Sequence, residues 1–177
     1  MKILMIIAQK GFRDEEYQIP YDYFIEKEIS VDVASEQKGQ CIGQLGLFVD
    51  SDIALKDIVI QEYFAVVIVG GQGAGTLLGN SDVERILKEA KEQNIVISAI
   101  CYSPAVLAHV GVLKGKKATV WNADGKQEEI LIQGGAEFVD EDVVTDGLVV
   151  TANGPSAALK FAEEVVRVCD CEDCWIK

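Results

Sequence analysis

Ala99-Ile100-Cys101-Tyr102-Ser103 is the stretch whose residue types and spacing most clearly suit chemistry. The cysteine ends an apolar run, Ile95–Ile100, and stands just before Pro104 and a helical pattern. This is the layout of a nucleophile elbow, where small residues two places to either side let the backbone turn sharply and aim a reactive side chain outward. Ala99 and Ser103 fill the small positions in place of the usual glycines. A thiol at a helix start faces free backbone N–H groups and the positive end of the dipole, which predicts a depressed thiol pKa. A buried, inert cysteine ending a strand is the alternative.

Two further segments leave apolar runs in the same way. Gly70-Gly71 follows Phe64–Val69 and offers unobstructed N–H groups. Together with the N–H of Tyr102 they can hold an oxyanion. Gly71-Gln-Gly-Ala-Gly75 does not have G-x-G-x-x-G spacing and does not follow the first strand, so a dinucleotide loop is not expected. Gln9–Glu16 follows the first run, Lys2–Ala8, and brings acids to the same edge.

The remaining thiols read differently. Cys169, Cys171 and Cys174 put three thiols at the chain end where a zinc site wants four ligands on a fixed frame, so no metal site is expected. Disulfide formation there is the better expectation, and Cys41 reads as structural. No cofactor is expected.

The elements that must position these groups alternate. Lys2–Ala8, Val31–Ala34, Phe64–Val69 and Ile95–Ile100 read as strands buried on both faces. Helical patterns lie between them: about Tyr17 to Glu28 with Pro20 early in it, a Ser81–Glu84 capping box followed by Val83, Ile86, Leu87 and Ala90, and a helix opened by Gly154-Pro155. Residues 39–60 read as an irregular hairpin and 136–151 as short strands turning at Asp146-Gly147. Such alternation predicts an α/β fold with a mainly parallel sheet, whose ligands bind beyond the carboxyl ends of the strands.

The chain has 177 residues, enough for one domain and for a core that needs no disulfide or metal. Its net charge of −13 argues against nucleic acid and anionic membranes as partners. The first apolar run is too short for a signal peptide and no run is long enough to span a membrane, so a cytoplasmic protein is expected.

Taken together, Gly70-Gly71 after a strand, Ala99–Pro104, Leu107-Ala-His-Val-Gly-Val-Leu-Lys-Gly-Lys-Lys-Ala-Thr119, Glu16 four residues before Pro20, and Asn153-Gly154-Pro155 resemble the DJ-1/PfpI superfamily over about Lys2 to Val168. The resemblance implies a flavodoxin-like three-layer sandwich over 1–168, an acidic Cys-containing tail at 169–177, and a homodimer or larger homo-oligomer. It implies Cys101 as nucleophile, Glu16 as a protonated thiol partner, and Gly71 and Tyr102 as oxyanion donors. Gly70, Trp121 and Asn153 would border a substrate pocket.

Departures from the pattern bear on activity. Peptidase-like members have His after the cysteine, where this chain has Tyr102. Trp121 and Asn153 replace a His or Tyr and an Arg. His109, the single histidine, lies about two helical turns past the elbow and reads as a packed helix residue. Peptidase activity is therefore expected to be weak. The expected function is cysteine-dependent chemistry on a small carbonyl, amide or glycated substrate, or on a peptide, in the manner of a glyoxalase, deglycase or amidase. The alternative is a non-enzymatic stress sensor or chaperone that works through oxidation of Cys101.

Overall fold

The computed structural model describes residues 1–171. Along the chain run β1 (Lys2–Ile6), β2 (Lys10–Phe12), α1 (Asp14–Glu26), β3 (Ser30–Ser35), β4 (Gly39–Gly43), β5 (Phe48–Ser51), β6 (Ile53–Ala54) and β7 (Ala65–Ile68). Then follow α2 (Ser81–Glu92), β8 (Val96–Ile100), α3 (Pro104–Val110), β9 (Lys117–Ala118), α4 (Lys126–Gln133), β10 (Glu137–Phe138), β11 (Val143–Asp146), β12 (Val149–Ala152) and α5 (Ala158–Asp170).

Seven strands form the central sheet in the order β11-β12-β8-β7-β1-β3-β6. All pairings are parallel except β11 with β12. The pleat of β1 explains its unbroken apolar run, because successive side chains point to opposite faces and both faces are covered. Ile3, Met5 and Ile7 pack with Tyr17 and Phe24 of α1 and Phe161 and Val165 of α5. Leu4 and Ile6 share the other core with Ile86 of α2, Leu107 of α3 and Leu131 of α4. This is the α/β fold with a mainly parallel sheet that the alternation predicted, and the flavodoxin-like sandwich that the family resemblance implied.

Several boundaries differ from expectation. α1 begins at Asp14, so Pro20 lies inside the helix rather than early in it. Its missing N–H leaves the carbonyl of Glu16 without its helical partner. The cap of α2 is Asn80, whose side chain accepts from the N–H groups of Asp82 and Val83, and Ser81 is already helical. The 39–60 hairpin is real: β4 and β5 pair antiparallel, and β2 joins them in a small separate sheet. β12 is a full parallel neighbour of β8, and α4 carried no clear periodic signal.

α5 continues to Asp170, so Cys169 belongs to the helix and not to a tail. It is 7% exposed, and burial pushes its thiol up to about 12. Cys174 lies outside the described residues.

Candidate active site

Cys101 sits where β8 ends and adopts a left-handed backbone, φ 63°. Non-glycine residues reach this region rarely, at a cost of about 1–3 kcal/mol, so the surrounding bonds must hold it there. They do. The Cys101 N–H donates to Ala152 O at 2.9 Å and its carbonyl accepts from Trp121 N at 2.9 Å. Two residues on, the buried Ser103 hydroxyl donates to Val69 O at 2.9 Å, tying the elbow to the end of β7. Ser103 thus does more than supply a small side chain.

The glycines meet close neighbours. A Cβ on Gly70 would lie 2.5 Å from both Cys101 Cβ and Glu16 Oε2, so the missing side chain is what lets the thiol and the carboxyl adjoin. Gly71 has φ 101°, and a Cβ there would collide with backbone atoms of Gly11, Phe12 and Arg13. Arg13 N donates to Gly70 O at 3.0 Å, which fastens the start of α1 to this turn. Glu16, on the first turn of α1, is thereby carried to the sulfur with no exposed surface.

The backbone N–H groups of Gly71 and Tyr102 face the Cys101 sulfur. Their pull does not dominate. Burial, and then the charge of Glu16, push the thiol up to about 12. The expected depressed thiol pKa is thus corrected. α3 has seven residues and starts at Pro104, so Cys101 occupies the turn before the helix rather than its first position. Burial also pushes the Glu16 carboxyl up to about 7, against opposing contributions from Cys101, Arg13 and the Gly70 N–H. Cys101 and Gly70 adjoin the carboxyl, yet neither Oε atom meets the geometry of a hydrogen bond.

Two adjoining acids in dry surroundings titrate as a pair, because the second ionisation must be made against the first. The first proton leaves near 7 and the second near 12, and between them the pair carries one negative charge. The carboxyl gives up its proton first, so that charge rests on Glu16 while the proton stays on the Cys101 sulfur.

A cleft of about 320 Å³ opens over this pair, lined by Arg13, Glu16, Gln44, Gly71, Gln72, Cys101, Tyr102, Trp121 and Pro155. Glu16, Gly71, Cys101, Tyr102 and Trp121 therefore meet as expected. Gly70 lies beneath them. Asn153 does not join them: it lines a neighbouring groove that shares Trp121 and Pro155 with the cleft, and its amide donates to Asp142 at 3.3 Å. His109 faces α2, with Nε2 3.6 Å from Glu84 Oε1, and lines neither cavity.

The cleft recruits residues that sequence reasoning passed over. Arg13 lay in a segment already assigned to this edge. Gln44 had no local signal, because it arrives on the β4–β5 loop. That loop is held by the buried Asp14 carboxylate, which accepts from Leu45 N at 2.9 Å and Leu47 N at 2.7 Å.

The model of the DJ-1/PfpI family matches residues 1–168. The chain belongs to the DJ-1/PfpI family. It is similar to an uncharacterized protein of Methanocaldococcus jannaschii, 45% identical over 94% of this chain and 81% of that protein. A Thermococcus kodakarensis protein named a deglycase is 32% identical over 95% of this chain and 99% of its own length. Among solved structures, a ThiJ/PfpI domain protein from Brachyspira murdochii superposes with a TM-score of 0.90 at 30% identity, covering 94% of this chain and 95% of that one. Among the described residues, no helix of this DJ-1/PfpI chain is long and apolar enough to cross a membrane.

Proposed function

We propose that this DJ-1/PfpI chain is a cysteine-dependent enzyme acting on a small carbonyl or glycated substrate. The observation that carries the reading is the strained Cys101 elbow, with two amide donors and a buried carboxyl converging on one sulfur beneath an open cleft. The name of the Thermococcus kodakarensis relative, a deglycase, points the same way.

The chemistry follows from the titration. As sulfur bonds to the substrate carbonyl carbon, its S–H bond breaks and the proton passes to the Glu16 carboxylate. The carbonyl π-electrons move to oxygen, and that alkoxide meets the N–H groups of Gly71 and Tyr102. Glu16 then returns the proton to the alkoxide or to a departing amine. A group titrating near 7 suits proton transfer at neutral pH, so the site needs no histidine. The Tyr102 side chain has no assigned role here; its backbone does.

Methylglyoxal consumption and amine release from methylglyoxal-treated amino acids test the reading. Wild type should turn over one or both, and Cys101→Ser neither. Cleavage of a fluorogenic peptide should be weak. Absence of carbonyl turnover, with peroxide converting Cys101 cleanly to a sulfinate, would replace this reading with an oxidation sensor.

A further inference from the structure

The cleft holds a cation that the carbonyl chemistry does not use. Arg13 is the only basic side chain among the residues that line it. Its Nε donates to Glu15 Oε2 at 2.7 Å and its Nη2 to Glu15 Oε1 at 3.0 Å, while Nη1 has no acceptor among the described residues. Two amide side chains on the same cleft are also unspent. Gln44 Oε1 accepts from Gln72 N at 3.1 Å, but the Gln44 NH₂ group makes no hydrogen bond among the described residues. Among the same described residues the Gln72 side-chain amide makes none.

Arg13 also acts on the reacting groups through space. Its charge lowers the Glu16 carboxyl, and Arg13 is itself raised first by its hydrogen bond to Glu15 and then by the charges of Glu15, Glu16 and Cys101. A guanidinium with a free nitrogen, flanked by free amide N–H groups, is a receptor for a planar anion. Trp121 and Pro155 add apolar surface to the same cleft.

We propose that Arg13, assisted by Gln44 and Gln72, recognises a carboxylate on the substrate, making Arg13 a specificity-determining residue for carboxylate-bearing small carbonyl compounds. The proposal rests on the reading of Cys101 as a nucleophile. Arg13 matters more to a carboxylate than to a neutral group for a reason of charge. The Cys101–Glu16 pair is anionic and the chain as a whole carries −13, so a carboxylate approaching the sulfur needs the cation at the cleft, Arg13, to draw it in. Glu15 occupies the Nε–Nη2 edge of the guanidinium and competes with the substrate for it.

Alkylation with two reagents of matched shape tests the proposal without relying on turnover. Iodoacetate carries a carboxylate where iodoacetamide carries a neutral amide. The rate ratio of iodoacetate to iodoacetamide at Cys101, read by mass spectrometry and normalised to a small free thiol at the same pH, isolates carboxylate recognition from thiol ionisation. The ratio should fall about tenfold in Arg13→Gln, the loss of one charge-assisted hydrogen bond. It should rise in Glu15→Gln, where the guanidinium is released to the ligand. Glyoxylate and methylglyoxal give the matching pair for turnover, with the kcat/KM ratio falling in Arg13→Gln through KM for glyoxylate.

A ratio that neither substitution changes overturns the proposal. The parent reading fails separately, by absence of turnover of either carbonyl compound while the alkylation ratio still responds to Arg13 and Glu15.

Discussion

Replacing Glu16 with Gln should make the protein more stable at pH 8 than at pH 5, relative to wild type. Glu16 has no exposed surface, and its carboxyl is raised from an ordinary 4.5 to about 7 by burial. A raised folded-state pKa means that the folded chain holds the proton more tightly than the unfolded chain. Below 4.5 the group is protonated in both states and its titration contributes nothing to the pH dependence. Between 4.5 and about 7 unfolding releases the proton, so stability falls as pH rises. From pH 5 to pH 8 that loss comes to about 2–3 kcal/mol, at 1.36 kcal/mol for each tenfold change in proton affinity.

Glu16→Gln removes the titration and keeps the shape. A buried amide carries fixed costs of its own, but these are the same at both pH values and cancel in the difference. Urea unfolding of both proteins at pH 5 and pH 8 measures it. The wild-type loss between the two pH values should exceed that of Glu16→Gln by about 2–3 kcal/mol. A difference under about 0.5 kcal/mol, within the scatter of such extrapolations, would mean that Glu16 ionises as freely in the fold as in water and that the account of the pair is wrong.

Other outcomes follow from the same geometry. Iodoacetamide should modify Cys101 before Cys41 or Cys169, which are buried, as peptide mapping by mass spectrometry can show. The pH profile of that reaction should bend near 7 in wild type and keep rising beyond pH 9 in Glu16→Gln, because the single remaining acid is then a buried thiol. Gly70→Ala should slow Cys101 alkylation while the protein stays folded by circular dichroism, since the new methyl would separate Cys101 Cβ from Glu16 Oε2. Ser103→Ala should cost about 1–3 kcal/mol in urea unfolding, because the Val69 carbonyl loses its buried donor.

The elbow was legible because its signal is local. A cysteine ending an apolar strand, with small residues two places either side, specifies its own turn, and the left-handed backbone at Cys101 is the outcome. The strands were legible because burial on both faces leaves unbroken apolar runs such as Ile3–Ile7. Gly70 and Gly71 announced a close approach, though not to what. Glu16 looked like an exposed acid at a helix start until the family resemblance drew it inward. The structure gives the reason: Arg13 N is bonded to Gly70 O, which turns the first helical turn under the elbow.

What tertiary structure alone decided is the balance at the sulfur and the company around it. Sequence shows which residues end near a helix, but desolvation depends on what every other segment packs against the group. Here it outweighs the amides that face Cys101. Gln44 enters the cleft because Asp14, distant in sequence, accepts two N–H groups of its loop. Asn153 is excluded because Trp121 and Pro155 stand between two cavities. Cys169 is core rather than tail because α5 runs on to Asp170 with that residue on its buried face. The order of types along the chain fixes turns and strands through short-range sterics and periodicity. Proton affinity and cleft membership depend on distances between segments far apart in the chain, which only the folded packing determines.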